Sequence, residues 1–99
     1  MYMTEELIKM LTTNEVKTLR QMYESQVTAP DGTEYVPLSQ ADLSRLVEVS
    51  KITMNTYFKA FEKYNLVQKY GNIRGKYLLT DRAVQVVKAM KSIEKAFEE

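Results

Sequence analysis

Residues 39–67, SQADLSRLVEVSKITMNTYFKAFEKYNLV, read as two short amphipathic helices joined by a tight turn. Leu43, Leu46 and Val47 mark the inward face of a helix over about 39–47. Met54, Tyr57, Phe58 and Phe61, at i, i+3, i+4 and i+7, mark that of a second over about 51–64. Only residues 48–51 separate them, and so short a link makes the two axes cross steeply. With the apolar side turned inward, Asn55, Thr56, Lys59 and Lys63 point away from the core. Ser50, Lys51 and Thr53 then occupy the exposed N-terminal end. These side chains suit a DNA groove: Asn pairs with adenine, Thr offers a hydroxyl or a methyl, and Lys reaches guanine or phosphate. The helix N-terminus adds free N–H groups and a partial positive charge where phosphates would pass. A polar outer face is common to all amphipathic helices, so the neighbouring elements must decide the reading.

A hairpin pattern follows at once. Residues 67–70 and 76–79 read as strands around Gly71-Asn72-Ile73-Arg74-Gly75, with Arg74 at the tip and Lys69 and Lys76 as flanking phosphate partners. Asn65, before the first strand, tolerates the left-handed conformation that ends many helices. Tyr70 and Tyr77 could stack on bases, but strand tyrosines more often pack on the sheet, and packing is favoured.

Working outward, Ser or Thr caps with flanking apolar staples recur. Thr12 with Glu15 and Ser39 with Asp42 form capping boxes, while Ser50 and Thr80 are simple caps. A short helix is expected over about 4–11 and a second over about 13–26, with Val16, Leu19, Met22 and Tyr23 inward. Residues 27–38 read as a loop turning at Pro30-Asp31-Gly32, with a short edge strand over 34–38. A last helix fills 81 to about 97. Met22, Met54 and Met90 stand at core spacing, which outweighs a methionine-lined ligand pocket.

Ninety-nine residues with 44% apolar content suit one domain over 1–99, mostly α with a small β-hairpin. The absence of Cys and His removes thiolate and imidazole chemistry, so no enzyme, cofactor or metal site is expected. No apolar run is long enough for a membrane span and no signal pattern opens the chain, so a cytoplasmic protein is expected. The net charge of +1 conceals an asymmetry. Residues 39–80 hold seven basic and three acidic side chains, an excess of four, which favours a local anionic partner.

The sequence resembles the winged helix-turn-helix superfamily and looks most like regulators of the multiple-antibiotic-resistance (MarR) type. Three pieces carry the resemblance: Leu43-Ser44-Arg45-Leu46-Val47 before Val49-Ser50-Lys51, then Phe61-Glu62-Lys63-Tyr64-Asn65-Leu66-Val67, then Leu79-Thr80-Asp81-Arg82-Ala83. It implies a core over 12–80, a helix-turn-helix at 39–64 and a wing at 67–79. It also implies a homodimer built from terminal helices, residues 1–11 and 81–99. Asn65 and Ala83 stand where such families usually have Gly, and Asn72-Ile73-Arg74 is the nearest match to their acidic-x-Arg at the wing. The resemblance assigns Arg74 to the minor groove.

Independently, the last helix carries Val86, Met90, Ile93 and Phe97 along one stripe about 25 Å long, more than a small core covers. Leu7, Ile8 and Leu11 form a matching apolar face. Pairing both across a two-fold axis would set two recognition helices ~34 Å apart, one DNA turn. The alternative is that the N-terminal helix covers the stripe within one chain. The expected function is a sequence-specific regulator of double-stranded DNA. A winged-helix module for protein contacts, or a replication or partition protein of a plasmid or virus, would have the same elements. A small-molecule effector is allowed but not indicated.

Overall fold

The computed structural model describes residues 13–97 of the chain. Helix α1 (Asn14–Ser25) leads into paired strands β1 (Val27–Thr28) and β2 (Glu34–Tyr35), then α2 (Gln40–Val47) and α3 (Lys51–Lys63). Strands β3 (Val67–Lys69) and β4 (Tyr77–Leu79) precede the final helix α4 (Asp81–Phe97). β3 and β4 run antiparallel, with Val67 opposite Leu79, Gln68 opposite Leu78 and Lys69 opposite Tyr77. Helices followed by a projecting β-hairpin make this a winged helix-turn-helix.

The core forms where the helical period places apolar side chains on one face. Leu19 and Met22 of α1, Leu43 of α2, and Met54, Phe58 and Phe61 of α3 are buried together with Val67 and Val87. Phe58 lies at the centre, its ring 5.6 Å from Phe61 and 4.7 Å from Tyr77 of the hairpin. Both ring pairs are tilted, a favourable arrangement for aromatic quadrupoles. Two buried polar residues extend this core, and each satisfies its hydroxyl on its own helix. Thr18 donates to the Asn14 carbonyl at 2.7 Å, and Ser44 to that of Ala41 at 2.7 Å.

Several elements depart from the sequence expectation. The cap of α1 is Thr13, whose hydroxyl accepts from the Val16 N–H at 3.3 Å, one residue after the expected Thr12. Leu46 is 53% exposed rather than inward. At about 100° per residue, the arc holding Leu43, Val47 and the self-satisfied Ser44 leaves Leu46 on the flank. The helix link turns at Glu48, which is left-handed (φ 63°) without being Gly or Asn. Residues 27–38 are a hairpin rather than a loop with one edge strand. Beyond it, Val36 bridges to Tyr77, its N–H donating at 2.7 Å to the Tyr77 carbonyl and its carbonyl accepting at 3.2 Å. The helix expected over residues 4–11 lies outside the described residues.

Helix α4 packs on α1, where Arg20 pairs with Glu24 and Glu94, and Lys91 lies 3.1 Å from Glu24. These pairs are partly exposed and contribute at most about 1 kcal/mol each. Met90 is 8% exposed within the single chain, while Val86 and Ile93 are half-buried. No helix of the described residues is long and apolar enough to cross a membrane.

Truncating Phe58 removes contacts to two rings at once. Phe58→Ala should lower the unfolding free energy by about 3–5 kcal/mol in urea titrations. Tyr64→Ala, on the exposed end of the same helix, should stay within about 0.5 kcal/mol.

Candidate nucleic-acid interface

Burying Met54, Phe58 and Phe61 fixes the rotation of α3 about its axis. Asn55, Thr56, Lys59 and Lys63 are consequently exposed on the opposite side, and Lys51 is exposed at the N-terminal end. Ser50 caps the helix: its Oγ accepts from the Thr53 N–H at 3.0 Å and donates to Thr53 Oγ1 at 2.9 Å. The Ser50 and Thr53 hydroxyls are therefore turned toward each other, and Thr53 is half-buried. Thr56 Oγ1 donates back to the Ile52 carbonyl at 3.2 Å. Lys63 Nζ lies 5.7 Å from the Tyr64 ring.

The hairpin stands beside this helix. Lys69, Arg74 and Lys76 line a hollow of about 420 Å³ that also takes in Gln40, Asn72 and Tyr77. Arg74 is exposed at the tip, where the backbone passes through left-handed Gly71 (φ 54°) and Gly75 (φ 75°). Lys76 is braced, with Nζ 5.2 Å from the ring of Tyr35, which in turn stacks on Tyr70 at 5.0 Å. Tyr70 and Tyr77 thus pack within the protein, as their strand positions suggest. Tyr35 also gives the 27–38 hairpin a structural role as the buttress of the wing.

Two residues tie the wing to the helices. Thr80 Oγ1 donates to the Asn65 carbonyl at 2.7 Å and accepts from the Ala83 N–H at 3.2 Å. It thereby closes the exit of α3, where Asn65 is left-handed (φ 59°), and opens α4. Gln40 does the same across the front. Its Oε1 accepts from Asn55 Nδ2 at 3.4 Å and its Nε2 donates to the Tyr77 hydroxyl at 3.3 Å. Sequence reasoning missed Gln40, because nothing in local spacing marks a contact 37 residues away. It also missed the exposed Ile52, which breaks the polar pattern of the outer face and could have been flagged for that reason.

The first turn of α2 sets Gln40 in place. Ser39 and Asp42 form a full capping box, the Ser39 N–H donating to Asp42 Oδ2 at 3.0 Å and the Asp42 N–H to Ser39 Oγ at 3.1 Å. The bond from the Ser39 backbone holds the Asp42 carboxyl below its ordinary value, helped by the Ser39 side chain and by Arg45 at 2.6 Å. Leu7, Ile8, Leu11 and the side chain of Phe97, the remaining expected dimer contacts, lie outside the described residues.

No protein-family model matches the sequence, and no curated protein matches it. Solved structures share the fold. The DNA complex of Staphylococcus aureus MepR superposes with a TM-score of 0.71 at 20% identity, covering 97% of this chain and 76% of that one. MepR, described as a transcription regulator of the multidrug efflux pump MepA, matches in another structure at TM-score 0.65 and 18% identity, over 98% of this chain and 74% of that chain. A CRP-family transcriptional regulator from Thermus thermophilus matches at TM-score 0.57 and 12% identity, over 89% of this chain and 44% of its own. At these identities the likeness establishes the winged-helix fold.

Because Asp42 ionises at lower pH when folded, its charge stabilises the fold fully above the unfolded value of 3.8. That contribution is lost as pH falls through the folded value. Urea titrations should show wild type ahead of the uncharged isostere Asp42→Asn at neutral pH, with the difference shrinking under acid. A difference independent of pH would remove the charge from the cap.

Proposed function

We propose that the chain is a sequence-specific regulator that binds double-stranded DNA, with α3 in the major groove and the wing at the minor groove. The observation that carries this reading is the joint exposure of Asn55, Thr56 and Lys59 on one side of α3, with Lys51 exposed at its N-terminal end. Beside them, Lys69, Arg74 and Lys76 line the wing hollow. MepR, whose fold this chain shares, was solved in complex with DNA, which supports DNA as the partner. No catalytic group is assigned. Recognition divides between two kinds of contact: Asn55 and Lys59 meet base edges, while Lys51, Lys63, Lys69 and Lys76 meet phosphates.

In this reading Gln40 gives Asn55 its orientation. With one amide N–H directed to Gln40, Asn55 retains Oδ1 and a second N–H, the acceptor and donor that match adenine N6 and N7. The protein acts as a homodimer through Val86, Ile93 and the N-terminal apolar residues Leu7, Ile8 and Leu11, with Phe97 extending the stripe and Met90 serving mainly the core. Its preferred sites then hold two half-sites about one helical turn apart.

Selection of bound duplexes from a random pool tests this directly. A paired motif is expected, and failure to retain any duplex at low salt would favour a module for protein contacts. On a selected site, Asn55→Ala should weaken binding by ~1–3 kcal/mol while sparing non-specific affinity. Equal losses on both would count against base reading. Arg74→Ala should weaken binding on all sequences and flatten the salt slope by about one phosphate contact; an unchanged slope would take Arg74 out of the interface.

A further inference from the structure

Ile52, the second residue of α3, is 82% exposed, far more than any other large apolar side chain among the described residues. Single exposed apolar residues are ordinary on protein surfaces. This one stands on the outer side of the helix with Asn55, Thr56 and Lys59, all exposed. We infer that Ile52 reads the 5-methyl group of a thymine in the major groove, an assignment that rests on the DNA-binding function proposed above.

Two observations beyond exposure support it. First, the hydroxyls nearest to Ile52 are already engaged. Ser50 and Thr53 bond to each other, and Thr56 Oγ1 donates to the carbonyl of Ile52 itself. With that proton directed inward, Thr56 offers its methyl to a groove, one turn from Ile52 on the same side. The first turn and a half of the helix thus presents an apolar ridge where hydrogen-bond donors would be expected. Second, Asn55, tethered by Gln40, lies between the two in sequence and is suited to adenine. Thymine is the one base whose major-groove edge carries a methyl, so an apolar ridge beside an adenine reader fits an A·T-containing step.

The test uses the full chain and a duplex selected from a random pool. Each thymine is replaced singly by uracil, which keeps all hydrogen-bonding groups and lacks only the methyl. For wild type, one uracil position per half-site should raise Kd about fourfold, the value of one buried methyl. With Ile52→Ala the same replacement should have no effect, while Ile52→Val should retain part of it. Circular dichroism and urea titration confirm that the variants remain folded. The inference is overturned if every uracil replacement is neutral in wild type, if the penalty persists in Ile52→Ala, or if the selected half-site contains no thymine. Failure to retain any duplex in the selection would instead overturn the DNA-binding function, and this inference with it.

Discussion

Phe58, 1% exposed, is wedged between Phe61 on its own helix and Tyr77 on the wing, and this contact fixes the working geometry. Anchoring Phe58 with Met54 and Phe61 sets the rotation of α3, and the 3.6-residue period then dictates what faces outward. A slip by one residue would rotate the helix by about 100° and turn Asn55 and Lys59 away from their outer position. Because Phe58 also touches Tyr77, the same side chain positions the hairpin relative to the helix. Burial of one aromatic outweighs several partly exposed ion pairs of the kind that join α1 and α4.

Around this pivot the wing has a firm base and an open tip. Val36 pairs with Tyr77, Tyr35 stacks on Tyr70, and Thr80 ties the end of α3 to the start of α4. These contacts hold the hairpin from its base at Thr80 to the turn end of its strands at Tyr70 and Tyr77, whereas Asn72 and Arg74 in the turn stay exposed. A duplex would therefore meet a helix and a basic tip held in fixed relation. Such preorganisation limits the ordering entropy lost on binding. Gln40 links the two parts through side-chain bonds of 3.3 and 3.4 Å, long enough to yield as a base edge approaches.

Features governed by local chemistry were legible in the sequence. The caps at Ser39, Ser50 and Thr80, the left-handed Asn65, the buried Met54, Phe58 and Phe61, and the β3–β4 hairpin all follow from spacing a few residues long. Features governed by distant partners were not. One local feature was also misread: the Ser44 hydroxyl finds the Ala41 carbonyl on its own helix, so polarity misplaced the inward face of α2 at Leu46. Glu48 adopts a conformation usually left to Gly or Asn, because the short link between α2 and α3 requires it. Beyond the strands of the hairpin at 27–38, Val36 meets Tyr77 across the fold, a pairing without a local signature. At the candidate interface, spacing identified the exposed cations and Asn55, but neither the tether at Gln40 nor the self-paired hydroxyls of Ser50 and Thr53.

In the proposed function the outer side of α3 and the wing tip together form the surface that meets a duplex. Amide chemical-shift mapping during titration with a selected duplex tests it most directly. The largest changes should fall on Lys51, Ile52, Asn55, Thr56 and Lys59 and on Asn72 to Arg74, with α1 and the buried face of α3 little affected. Changes concentrated on α4, with Asn55 and Arg74 unmoved, would contradict the account.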